Sequence, residues 1–201
     1  MAVEGLYFYF LSWVGWIIVT FFFSKSKQRF FVSVLLLLII IGSNTFIPIM
    51  EFQVSFSFIV LALTAIILLV IVLKKHLLLH YFSICTVALA YVCFKLFEIY
   101  DPVWIIFDRT WMLSIILLYL GLMLFKTKNE RFVFLLTGLL MGELLSSFVL
   151  HSVFRYSIVG SFEFLDVYAL TLSGLSVWVF FETVTVYLDG FIQKRVKEKQ
   201  G

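Results

Sequence analysis

Charge is scarce in this sequence. Of 201 residues, 15 are Lys or Arg and 12 are Asp or Glu, 13% in all, about half the share of a soluble domain. So little polar surface cannot coat a globule in water, which excludes an ordinary soluble fold. There are only two prolines, Pro48 and Pro102. Both fall at the ends of apolar runs, so no broken or kinked helix is signalled, which disfavours transport built on broken helices. The two cysteines, Cys85 and Cys93, lie eight residues apart on one apolar run. On a helix that is a rise of about 12 Å, too far to bridge, and two cysteines make no disulfide framework. The serine motif GxSxG, HExxH, DDxxD, CxxC and a phosphate-cradling glycine loop are all missing. The expectation is therefore a protein without enzymatic activity, cofactor or metal. The basic residues are dispersed in short clusters between apolar runs, which argues against nucleic acid as a partner. The opening "MAVEG" has no basic n-region and no cleavage pattern follows it, so the first apolar run is expected to remain in the protein.

What the chain has in abundance is apolar length. Hydrophobic residues make up 63% and the mean hydropathy is +1.12. A span needs about 20 apolar residues to cross about 30 Å of hydrocarbon. Seven segments meet that requirement, roughly 5–23, 30–48, 54–73, 77–97, 103–125, 132–150 and 166–188. Their continuous rather than alternating hydrophobicity points to helices, not a barrel. Basic residues cluster on alternate loops: Lys25, Lys27 and Arg29; Lys74 and Lys75; Lys126, Lys128 and Arg131; Lys194, Arg195, Lys197 and Lys199. The opposite loops carry Glu4, Glu51, Glu98, Asp101, Glu163 and Asp166. Positive charge marks the cytoplasmic side. The expected fold class is thus an all-α integral membrane protein, one polytopic domain over 1–201, with seven transmembrane helices, the N-terminus outside and the C-terminus cytoplasmic. Trp13, Trp16, Trp104, Trp111, Tyr7 and Tyr100 fall near the expected boundaries, as an aromatic belt requires.

Ionisable residues inside such spans are costly, about 2.5–3.5 kcal/mol each when unpaired, and they mark either packing or function. On the expected topology Arg109 lies about 9 Å, and Glu143 about 10 Å, below the outer boundary. Their helices are joined by a short loop, and short connections make antiparallel neighbours. An Arg109–Glu143 ion pair is the leading expectation, with Asp108 directed toward Lys95. The alternative for Glu143 is to keep its proton. Asn44, Lys95, Asp108, Arg109 and Glu143 together form a candidate intramembrane polar network. On the inner side His80 and Glu182 are candidates for a second pair. Gly138, Gly142 and Ser146 recur every four residues and make a helix-packing seam that Glu143 borders.

The start "GLYFYFLSWVGWIIVTFFF", followed by "SKSKQRF", resembles the uncharacterised YphA-like integral membrane proteins of Bacillus and its relatives, and the length and span pattern fit as well. That resemblance implies a bacterial cytoplasmic membrane and supplies no substrate, cofactor or catalytic residue. Small glycerol-phosphate acyltransferases share the layout but not their glycine-lysine loops. A retinal protein would need a lysine in the last span, and residues 166–188 contain none. The functional expectation is a non-enzymatic scaffold or a subunit of a membrane assembly. Its partners would be the lipid bilayer and either other membrane proteins or further copies of itself. Second comes a small-solute or ion transporter in which Arg109 binds an anionic group and Glu143 moves a proton. Third is an intramembrane enzyme using Glu143 and His151.

Overall fold

Backbone amides cannot be left unpaired in hydrocarbon, and long apolar runs satisfy them within a helix. The structure, a computed structural model, describes residues 4–72, 77–101, 103 and 107–200. Lys74, Lys75, Pro102 and Trp104 lie outside the described residues, as do the side chains of Lys194, Arg195, Lys197 and Lys199. The helices are α1 (Leu6–Phe22), α2 (Lys27–Gly42), α3 (Phe56–Val72), α4 (Leu77–Tyr100), α5 (Arg109–Leu124), α6 (Lys128–Phe154) and α7 (Phe162–Gln200). Polar residues start several of them. The Ser26 side chain accepts from Arg29 N–H, and Asp108 accepts from Thr110 N–H. Thr127 and Glu130 close a reciprocal capping box at the start of α6, which satisfies two otherwise orphan amides.

The helical class holds, but the expected seven transmembrane spans do not. Among the described residues, three helices are long and apolar enough to cross a membrane: His80–Tyr100, Lys128–Phe154 and Phe162–Gly190. The others fall short. α1 and α3 have 17 residues, and α2 and α5 have 16, lengths of about 24–26 Å against about 30 Å of hydrocarbon. The missing length went into structure that hydropathy does not reveal. The apolar residues of β1 (Phe46–Ile49) and β2 (Phe52–Ser55) form an antiparallel hairpin. β3 (Ile158–Val159) joins it in parallel, Gln53 opposite Ile158 and Val54 opposite Val159. Segments expected as spans 30–48 and 54–73 therefore end and begin in strand, and α5, within 103–125, begins at Arg109. The outside and cytoplasmic assignments rested on seven alternating crossings and go with that count.

Helix packing centres on α4 and α6, which make the most extensive helix contact in the molecule. They run parallel in a constant register. A Cβ built at Gly138 would come within 2.7 Å of Val87, and one at Gly142 within 2.8 Å of Tyr91. Only glycine leaves room for that approach. Helix association in lipid depends on close van der Waals packing rather than on expulsion of water, so these two positions determine how well the pair holds. Fully buried Tyr91, Phe134, Leu135, Leu139 and Phe164 fill the surrounding core.

α1 is fastened differently. Its N-terminal amides are met by a carboxylate from α7: Gly5 N–H and Phe8 N–H each donate to Asp166 at 2.7 Å. Negative charge at a helix N-terminus satisfies both the free donors and the helix dipole. Asp166 is 4% exposed, so it serves as a long-range cap and not as the solvated loop residue the sequence suggested. Two outcomes are expected in detergent unfolding. Gly138→Val should destabilise the fold by about 1–3 kcal/mol through overpacking, and Asp166→Ala should cost about 1–2 kcal/mol through the lost cap.

Candidate functional site

The end of the bundle that carries the small sheet gathers most of the acidic side chains. Glu143, 2% exposed, stands beside the glycine seam and so faces α4. Its Oε2 accepts from the Tyr91 hydroxyl at 2.7 Å and lies 3.5 Å from Lys95 Nζ. Tyr91 and Lys95 are one helical turn apart and share a face, and the Lys95 ammonium sits 5.3 Å from the Tyr91 ring centre. The other oxygen, Oε1, accepts from Gly160 N–H at 3.1 Å. Gly160 has φ 74° and presses against Phe58, so a backbone that only glycine adopts easily brings the α6–α7 loop onto the carboxylate.

A second layer lies outside the first. Arg109, at the start of α5, donates to Glu98 at 3.3 Å and approaches Glu4 at 3.8 Å and Glu163 at 4.0 Å. Glu163 also lies 4.0 Å from Lys95, so it links the two layers. Lys95, Glu98, Arg109, Tyr156 and Glu163, with Ile99, Leu150 and Phe154, line a cavity of about 460 Å³. Burial, only partly opposed by Lys95, pushes the Tyr156 hydroxyl above the usual tyrosine range, so Tyr156 stays a neutral donor and acceptor at this wall. His151 Nε2 and Glu51 Oε2 are 2.9 Å apart and tie α6 to the hairpin turn.

The expected polar network is thus brought together in part and with different partners. Arg109 does not meet Glu143. α5 and α6 are joined by a short loop, but the glycine seam turns α6 toward α4, and Lys95 takes the place assigned to Arg109. Asp108 caps α5 instead of reaching Lys95, and Asn44 is exposed on the turn before β1. Ser146 is buried, donating to the Glu143 carbonyl at 3.0 Å. At the opposite end His80 and Glu182 are not paired. The His80 ring stacks on Phe134 with centroids 4.6 Å apart, while Glu182 accepts from Arg131 at 2.9 Å.

Reading the sequence missed Tyr91, Glu98, Tyr156, Gly160 and Glu163. For Tyr91 a signal existed, since it precedes Lys95 by four residues. The loop and helix-end residues carry no periodic signal.

The model of the YphA-like integral membrane protein family matches residues 4–201. The chain belongs to that family. It is 29% identical over 172 residues to "Uncharacterized protein YphA" of Bacillus subtilis (strain 168), covering 82% of this chain and 81% of that protein. No solved structure matches. As a YphA-like protein it is a multi-pass protein of the bacterial cell membrane.

The two layers should respond differently to substitution. Lys95→Met leaves a buried carboxylate without its cation and should cost about 3–5 kcal/mol, and Lys95→Met with Glu143→Gln should cost less than the sum of the singles. Arg109→Ala, at a side chain 43% exposed, should cost no more than about 1 kcal/mol. Unfolding of the four variants in detergent checks both.

Proposed function

We propose that this protein is a non-enzymatic structural component of a membrane assembly, either a scaffold or a subunit. The observation that carries the reading is the commitment of Glu143. Its two oxygens are taken by Tyr91, Lys95 and Gly160 N–H, from α4 and the α6–α7 loop. A carboxylate that shuttles protons or substrate needs an acceptor site open to its pathway. Glu143 instead joins elements that would otherwise be free to separate, which suits a rigid component.

α7 supports the same reading. Its 39 residues extend about 58 Å, close to twice the hydrocarbon thickness. From Thr183 to Gly190 every residue is exposed. A helix that leaves its own bundle offers a partner a surface without disturbing the core.

The cavity beside Lys95 and Arg109 favours a second reading, a small-solute or ion transporter. In that case Arg109→Ala should abolish solute uptake into vesicles while the protein level stays normal. For the structural reading, the full chain purified in mild detergent should elute as a defined complex, with a stoichiometric partner or as a homo-oligomer, by light scattering and mass spectrometry. Truncation after Glu182 should release that partner. A monodisperse, partner-free monomer would overturn it.

A further inference from the structure

The charges on the cavity wall alternate in sign, with Lys95 and Arg109 set against Glu98 and Glu163. Their spacing is loose. Lys95 Nζ is 3.5 Å from Glu143 and 4.0 Å from Glu163, and Arg109 Nε is 4.0 Å from Glu163. A tight charged contact closes to about 2.7–2.9 Å. Arg109 carries five N–H donors, and its one hydrogen bond to the described residues goes to Glu98 at 3.3 Å. Donors and acceptors of both signs are therefore left with capacity around about 460 Å³, a volume typical of small-ligand sites.

We propose that this cavity binds a zwitterion, an ammonium joined to a phosphodiester, of the kind carried by an aminophospholipid headgroup. A lone anion would meet the carboxylates of Glu98 and Glu163. A lone cation would meet Lys95 and Arg109. A molecule bearing both signs satisfies both pairs at once. The half-exposed Arg109 guanidinium presents a planar fork suited to phosphate oxygens, and the two carboxylates accept the ammonium protons. Ile99 and Phe154 at the cavity wall are 47% and 58% exposed, so an apolar path leads from the charged wall onto the outer surfaces of α4 and α6. The shared chemistry fits a lipid or a free headgroup, and the site stands whether or not the protein is a scaffold.

The test uses the full chain in phosphatidylglycerol nanodiscs. One arm adds phosphatidylethanolamine, a second adds water-soluble glycerophosphoethanolamine, and a third adds glycerol phosphate, which has the anion without the ammonium. Binding is read by native mass spectrometry and intrinsic fluorescence, and folding by thermal unfolding. The expected result is at least about tenfold tighter binding of an ammonium-bearing probe than of glycerol phosphate or phosphatidylglycerol. Glu98→Gln should remove that preference, and Ile99→Trp should block entry by filling the mouth. Binding of the lipid arm alone identifies a lipid site, and binding of the soluble arm identifies a solute site. Equal binding of all probes, or unchanged binding in folded Glu98→Gln and Ile99→Trp proteins, would overturn the proposal. Should Glu98→Gln fail to fold, Ile99→Trp decides alone. Loss of a protein partner with headgroup binding intact would bear on the structural role and leave this site standing.

Discussion

Glu143 and the α4–α6 seam depend on each other. A carboxylate with 2% exposure has no water to stabilise it, so its partners must arrive from neighbouring helices at hydrogen-bonding range. They arrive because Gly138 and Gly142 let α4 approach until Val87 and Tyr91 rest on the α6 backbone. That approach carries Tyr91, and Lys95 one turn further, to the level of Glu143. Without the glycines the helices would stand apart and the carboxylate would face a gap. Without Lys95 the seam would enclose an uncompensated charge.

The same carboxylate closes the end of the molecule. Through Gly160 it holds the loop that supplies β3, and β3 extends the hairpin between α2 and α3. The His151–Glu51 contact ties that hairpin to α6 a second time. Asp166, six residues beyond Gly160, caps α1. One short stretch of chain, from the α6–α7 loop into the start of α7, thus anchors the start of α1, the hairpin and the buried carboxylate. This concentration of ties explains why the shorter helices keep their places even though hydrophobic association is weak in lipid.

Outside this pinned layer the charges are spaced more loosely. Arg109, Glu98 and Glu163 surround a cavity at the sheet end of the bundle. The contrast between the two layers frames the functional question. The inner layer has the character of a structural joint, and the outer layer has unused hydrogen-bonding capacity suited to a ligand of mixed charge. Membership of the YphA-like family places the protein in a bacterial cell membrane.

Composition determined that the chain lives in a membrane, because 13% charged residues cannot coat a globule in water, and continuous apolar runs pointed to helices, which satisfy their own backbone. The glycine seam and the burial of Glu143 were legible as well, since a period of four residues puts small residues on one helical face. Hydropathy measures apolar length and not backbone conformation, so residues 46–48 and 54–55 read as parts of spans although they lie in strands, and seven crossings were expected where three of the described helices are long enough. The partner of Glu143 was decided only by tertiary structure. Loop length favoured Arg109 on α5, but the side on which α6 presents its glycines selected α4, and a sequence does not state which neighbour will fill that groove.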